Sequence, residues 1–182
     1  REVVVAPPGF DARFSATERR YAYRMADAQV DRDPLRRRHL WWHEGVLDPD
    51  ALNRASATLT GLRDFAPFCK SRDGATTIRD LLEFSWTRVG EGADAGLLVG
   101  TVRADAFCHS MVRSLVGAVV AVADGRRDLA WLAGVANASE RAQSVAVAPA
   151  RGLTLEQVVY PPDAGLAARA ERQRRLRRPE RL

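Results

Sequence analysis

Three features of this chain predict an α+β fold, with a mainly antiparallel sheet and helices packed on one of its faces. Strand-like and helical patterns succeed one another as β-β-α-β-β-α-α-β rather than in strict alternation. Two strand-like runs, 77–89 and 97–104, flank the glycine-rich segment GEGADAG and read as a hairpin with a long loop. Between 105 and 125 the sequence DAFCHSMVRSLVGAVVAVADG is apolar over most of a helix surface, the mark of a helix buried against other layers.

The elements follow in order. Residues 3–5, three valines, read as a short strand ended by Pro7-Pro8-Gly9, and 10–17 as a turn or short helical segment. Residues 19–25 alternate as a strand should, with Tyr21, Tyr23 and Met25 on one face and Arg20, Ala22 and Arg24 on the other. A break at 31–34 precedes a helical turn at 35–39 and the apolar patch Leu40-Trp41-Trp42. Asp48-Pro49 is a helix start, an N-cap carboxylate before a proline at the first helical position, and the helix should run over 49–59 to Gly61. Phe65-Ala66-Pro67-Phe68 reads as a compact turn, and Lys70-Ser71-Arg72-Asp73-Gly74 as a polar loop with two cations.

In the strand 77–89 the alternation puts Ile78, Leu82, Phe84 and Trp86 on one face and Arg79, Glu83, Ser85 and Thr87 on the other. A second helix over 128–138 should turn Leu129, Leu132 and Val135 inward, and 153–160 reads as the last strand. Residues 164–182 hold seven arginines and little apolar surface beyond Leu166 and Leu176, a solvated helical tail rather than a dedicated RNA-contacting arm. The organisation is thus one domain over 1–162 and an arginine-rich helical or disordered tail over 163–182.

Composition narrows the function. With 46% hydrophobic and 28% charged residues the chain reads as globular, and Arg113 and Ser114 interrupt its longest apolar run well short of a membrane span. The net charge of +5 rests almost wholly on arginine, since Lys70 is the single lysine, and arginine favours phosphates and bases as partners. The two cysteines, Cys69 and Cys108, make no disulfide framework, so reduced thiols and a cytoplasmic setting are expected. Metal chemistry has no pattern behind it, because Cys108 and His109 are adjacent and no Cys-x-x-Cys occurs. Neither a Gly-x-Ser-x-Gly elbow nor a phosphate-cradling glycine loop is present. The chain opens on Arg1 and runs straight into apolar residues, which reads as a fragment.

One position in the buried helix is costly. His109, Arg113, Gly117 and Ala121 fall four apart and stack on one face, and the Arg113 guanidinium keeps its charge, so it needs a carboxylate or phosphate partner. Arginines interleaved with aromatics at 10–24 and the cationic loop at 70–72 point to RNA, where a base is taken out of its stack and held against an aromatic ring.

Five stretches then carry a family likeness. These are Phe10-Asp11-Ala12-Arg13-Phe14-Ser15-Ala16-Thr17, Arg20-Tyr21-Ala22-Tyr23, Asp64-Phe65, the run from Ala106 to Gly117, and Ala148-Pro149-Ala150-Arg151-Gly152-Leu153 with Tyr160-Pro161. In order and spacing over 1–162 they resemble tRNA pseudouridine synthase A. The resemblance implies the C-terminal half of a pseudouridine synthase fold and isomerisation of uridine to pseudouridine at positions 38, 39 and 40 of the tRNA anticodon stem-loop. It implies no cofactor and no metal, and a homodimer whose cleft spans both subunits.

Residue by residue, the resemblance makes Tyr21 the tyrosine that stacks on the target uracil and Arg113 the partner of the nucleophilic aspartate. Phe10, Asp11, Ala12, Arg13 and Phe14 match an RNA-contacting segment, and Ser71, Arg72, Asp73, Gly74 and Ala75 fall where the family has a second one. The family's nucleophile lies in a Gly-Arg-Thr-Asp-Ala-Gly-Val-His motif, which these 182 residues do not contain. A chain without it is expected to be inactive alone. The rival expectations are a non-catalytic RNA-binding module and a structural or dimerisation domain.

Overall fold

A computed structural model describes residues 3–70, 72 and 76–175. Its centre is a mixed, mostly antiparallel sheet of six strands. Strand β1 (Glu18–Ala26) runs through the middle, flanked on one side by β5 (Leu98–Ala104), then β4 (Ile78–Arg88) and the short β3 (Gly61–Asp64). Its other side is shared by β2 (Trp41–Trp42), which runs parallel to it beside Met25 and Ala26, and β6 (Leu153–Val159), antiparallel to Glu18–Tyr23. Helices α1 (Pro49–Ala57), α2 (Met111–Ala123) and α3 (Leu129–Ala136) form a layer on one face, and helix α4 (Asp163–Arg175) follows β6. This is the expected α+β architecture. Among the described residues no helix is long and apolar enough to cross a membrane.

The core lies between the helices and the sheet face bearing Tyr23, Met25, Phe84, Trp86 and Val102, against Leu52, Leu115 and Val119. Helix α1 starts as expected, with the Asp48 carboxylate accepting from the Asp50 and Ala51 amides at 3.0 and 3.2 Å. It is pinned to β4 where β3 has ended. The Asn53 side chain donates to the Trp86 carbonyl at 2.9 Å and accepts from its amide at 2.7 Å, closing backbone groups that no strand reaches.

Several expectations are corrected. Residues 3–5 are not a strand; Val3 and Val5 are almost fully exposed and pair with nothing in the described sheet. The helix expected over 105–125 begins only at Met111, because Ser110 takes a left-handed conformation (φ 69°) that an α-helix cannot include. In β4 the register shifts between Leu81 and Glu83, a β-bulge that exchanges the two faces. Leu81, Phe84 and Trp86 therefore point into the core with Arg79 also buried, whereas Ile78 and Leu82 are exposed.

In α3, Leu132 and Val135 are buried but Leu129 is not. The helical part of the tail is not merely solvated, for Leu166 and Ala170 are buried and the Leu166 carbonyl accepts from the Ser15 hydroxyl at 3.1 Å. Cys69 and Cys108 are joined as a disulfide rather than standing as separate thiols, their Cα atoms 5.7 Å apart.

Candidate functional site

The site forms where β1, β5 and β6 meet the approach to α2. Asp105 closes β5 by accepting the Asp80 amide at 3.0 Å and the Ala106 amide at 2.7 Å, which ties the outgoing chain to β4. Residues 106–110 then run as an irregular bridge, and the His109 carbonyl takes the Lys70 amide at 2.9 Å. Phe107, carried on this bridge, meets the Tyr21 ring edge to face, with centroids 5.1 Å apart and planes at 87°. One turn later Arg113 projects from α2, half-buried.

Among the described residues Arg113 has no ion pair. Its Nε donates instead to the Ala148 carbonyl at 2.6 Å, while the Ala148 amide donates to the Arg113 carbonyl at 3.0 Å. The small-residue stripe expected on this face now has a purpose. A Cβ at Gly117 would overlap the Ala146 carbonyl oxygen, so the glycine lets the 146–148 backbone lie directly on the helix. His109 belongs to the bridge rather than the helix and is exposed, so it does not extend the stripe.

Tyr21 and Arg113 line a single cleft of about 420 Å³. Arg13, Lys70, Arg72 and Arg79 add four further cations, and no described carboxylate lines it. Phe107, Met111, Val112 and Leu153 form an apolar wall. Such a cleft concentrates positive potential beside a flat apolar surface, an arrangement suited to an anionic substrate with a planar part.

The remaining expected residues fall elsewhere. Phe10 packs on Tyr160 at 5.1 Å between centroids, and the Ala12 carbonyl accepts from the Tyr160 hydroxyl at 3.0 Å. Asp11 accepts the Arg13 and Phe14 amides, each at 2.8 Å, and so shapes the turn that carries Arg13. Phe14 lies beneath the Arg13 and Arg174 guanidinium groups at 5.1 and 5.7 Å. Ser71, Asp73, Gly74 and Ala75 lie outside the described residues. Asp64 holds its own turn by accepting the Ala66 amide at 2.9 Å.

Two residues of the cleft escaped the sequence reading. Arg79 was placed on the face opposite Phe84 and Trp86, yet it is 6% exposed. Its guanidinium donates to the Thr76 carbonyl at 2.6 Å, the Thr76 hydroxyl at 3.1 Å and the Ile78 carbonyl, gripping the end of the Lys70–Thr76 connection. Burial pulls its pKa below the usual arginine value, with nearby Asp105 opposing and Arg19 reinforcing the shift; an arginine starting so high stays charged at neutral pH. Only the bulge reveals its direction. Leu153 was noted in a motif without a role, and its place on the cleft wall comes from the β6–β1 register that sets it opposite Tyr23.

Fold and cleft together define an α+β protein with a cation-lined cleft beside an apolar wall. A family model described as tRNA pseudouridine synthase matches residues 55–161. The tRNA pseudouridine synthase A of Streptomyces griseus subsp. griseus is 54% identical over 172 residues, 94% of this chain and 60% of that protein. Its namesake from Cutibacterium acnes is 55% identical over 177 residues, 97% of this chain and 63% of that protein. The Mycobacterium leprae protein of the same name is 46% identical over 176 residues, with 97% and 60% covered. The chain belongs to the tRNA pseudouridine synthase family. It spans about 60% of the length of the curated relatives it matches.

Proposed function

We propose that this chain supplies the arginine and tyrosine half of an active site that isomerises uridine to pseudouridine at positions 38, 39 and 40 of the tRNA anticodon stem-loop. The observation that carries the reading is the meeting of Tyr21 and Arg113 in one cation-lined cleft. In this reading a flipped uracil stacks on Tyr21, and Arg13, Lys70 and Arg72 hold the backbone phosphates. Arg113 pairs with a nucleophilic aspartate contributed from outside these 182 residues. The aspartate attacks sugar carbon 1 and displaces uracil nitrogen 1; the base turns, carbon 5 bonds to the same sugar carbon and displaces the carboxylate, and as the carbon 5 proton leaves nitrogen 1 takes up a proton. Tyr21 helps remove the carbon 5 proton. The same reading makes residues 1–162 the catalytic portion and 163–182 its tail, with a cytoplasmic homodimer as the working form.

The test is tritium release from tRNA labelled at uracil carbon 5. The longest natural polypeptide containing this chain should turn over, and its Arg113→Ala variant should lose on the order of 10²-fold or more, as when a preorganised charge partner is removed. The 182-residue chain alone should bind tRNA, more weakly as salt rises, without releasing tritium. Turnover by the chain alone refutes the division of residues, and an inactive longer polypeptide refutes the activity in favour of an RNA-binding module. Loss of tRNA binding even at low salt would leave only a structural domain.

A further inference from the structure

Tyr21 and Tyr23 share a face of β1, but they do different things. Tyr21 lines the cleft, whereas Tyr23 is wholly buried. The Tyr23 hydroxyl donates to the Pro149 carbonyl at 2.7 Å. Pro149 directly follows Ala148, the residue whose carbonyl holds Arg113 Nε and whose amide reaches the Arg113 carbonyl. The proline ring restricts φ, observed at −53°, so the two successive carbonyls keep a stiff relation. The same loop also rests on the ring, since a Cβ at Gly152 would come within 2.8 Å of two Tyr23 ring atoms.

Resting on the reading that Arg113 pairs with the nucleophilic carboxylate, we propose that Tyr23 is a positioning residue for Arg113. Its hydroxyl fixes the 148–149 backbone, which holds the Nε edge of the guanidinium and leaves the two Nη groups for the cleft. An arginine held at one edge presents its fork in a fixed plane, and a misplacement of about 1 Å in such a group is costly to the rate. Phenylalanine fills nearly the same volume but cannot hold the loop. Burial pushes the Tyr23 phenol upward in pKa despite the neighbouring Arg113 and Arg151 cations, so the hydroxyl stays a donor across the working range.

The test is Tyr23→Phe with two readouts. On the 182-residue chain, NMR follows exchange of the Arg113 Nε–H with water, which should be slow in the wild type and about tenfold faster or more in the variant, as expected when the loop carrying its carbonyl acceptor is loosened. Gly117→Ala, which presses on the 146–148 segment from the helix side, should speed the same exchange. On the longest natural polypeptide containing the chain, Tyr23→Phe should lower kcat about tenfold with KM for tRNA nearly constant, and should add nothing to Arg113→Ala. Unchanged Arg113 exchange in both variants overturns the proposal whether or not the longer polypeptide is active. A raised KM at constant kcat overturns it as well. Fast-exchanging variants in a longer polypeptide that never turns over sink the catalytic reading instead, and leave the clamp on Arg113 established.

Discussion

Arg174 of helix α4 donates to the Asp11 carboxylate at 2.6 Å, joining the last described helix to the turn that carries Arg13. The other carboxylate oxygen caps that turn through the Arg13 and Phe14 amides. The Phe14 amide is the largest influence on Asp11, and it outweighs burial; with the Arg13 amide and Arg174 it holds the carboxyl below the usual range. Asp11 thus shapes the turn that carries Arg13 from behind rather than lining the cleft.

Asp11→Ala removes both functions and is expected to cost about 1 kcal/mol, the usual loss of a capping carboxylate. Asp11→Asn keeps an oxygen for the amides and should cost less. Urea midpoints rank the two variants, and hydrogen exchange over 10–16 should rise more in Asp11→Ala. Equal midpoints for wild type and Asp11→Ala would show that the turn stands without its cap.

Among the described residues Asp27 is the most buried carboxylate, its side chain sealed from solvent beneath Arg88. Arg88 donates to its two oxygens at 3.1 and 2.7 Å, and the Leu47 and Gln29 amides add 3.0 and 3.2 Å bonds. Burial is the largest single influence and raises the pKa. The Arg88 bonds and then the two amides together exceed it, so the net shift is downward. A carboxylate depressed in the folded state contributes stability that is full above its unfolded value near 3.8 and is lost as pH falls through the lower folded value. Asp27→Asn should lose about 3 kcal/mol at neutral pH, since it strands the Arg88 charge. Its urea midpoint should then fall less than the wild type's between pH 5 and pH 3. Parallel pH profiles for the two proteins would show that Asp27 does not drive the acid loss.

What the sequence made legible here is what short-range patterns encode. The Asp48-Pro49 helix start, the Tyr21–Met25 alternation and the half-buried arginine on α2 all follow from spacing and residue type. The missed features depend on partners far along the chain. Alternation alone cannot show that β4 slips by one residue against β5, so Arg79, Ile78 and Leu82 were placed on the wrong faces. Arg113 was expected to need a carboxylate or phosphate, and the partner it has among the described residues, a backbone carbonyl 35 residues away, has no residue-type signature. Asp27 gives no signal in the sequence, because its burial is set by Arg88 and Leu47 arriving from other elements. The arginine-rich tail concealed its docking face, in which Leu166 and Ala170 are buried.

The disulfide joins two walls of the cleft, which makes its effect measurable in stability and in the site. Cys69 precedes Lys70, and Cys108 precedes His109; these two neighbours are themselves bonded through the Lys70 amide and His109 carbonyl at 2.9 Å. The covalent link therefore doubles a contact that the backbone already makes, so it should change the folded cleft little. Its main effect falls on the unfolded chain, where it closes a loop with a sequence separation of 39. Loop-closure entropy for that length gives roughly 4 kcal/mol as an upper figure, and measured bridges commonly return about 2–4. Mass spectrometry should find the unreduced protein lighter by two hydrogens, and a reductant should lower its urea midpoint accordingly. The Cys69→Ser, Cys108→Ser double variant should match the reduced wild type and no longer respond to reductant. Its tRNA affinity should stay close to that of the oxidised chain, because the Lys70–His109 backbone contact remains. Free thiols in the folded, unreduced chain, or a midpoint indifferent to reductant, would count against the bridge; a large loss of tRNA affinity in the double variant would show instead that the bridge sets the shape of the cleft.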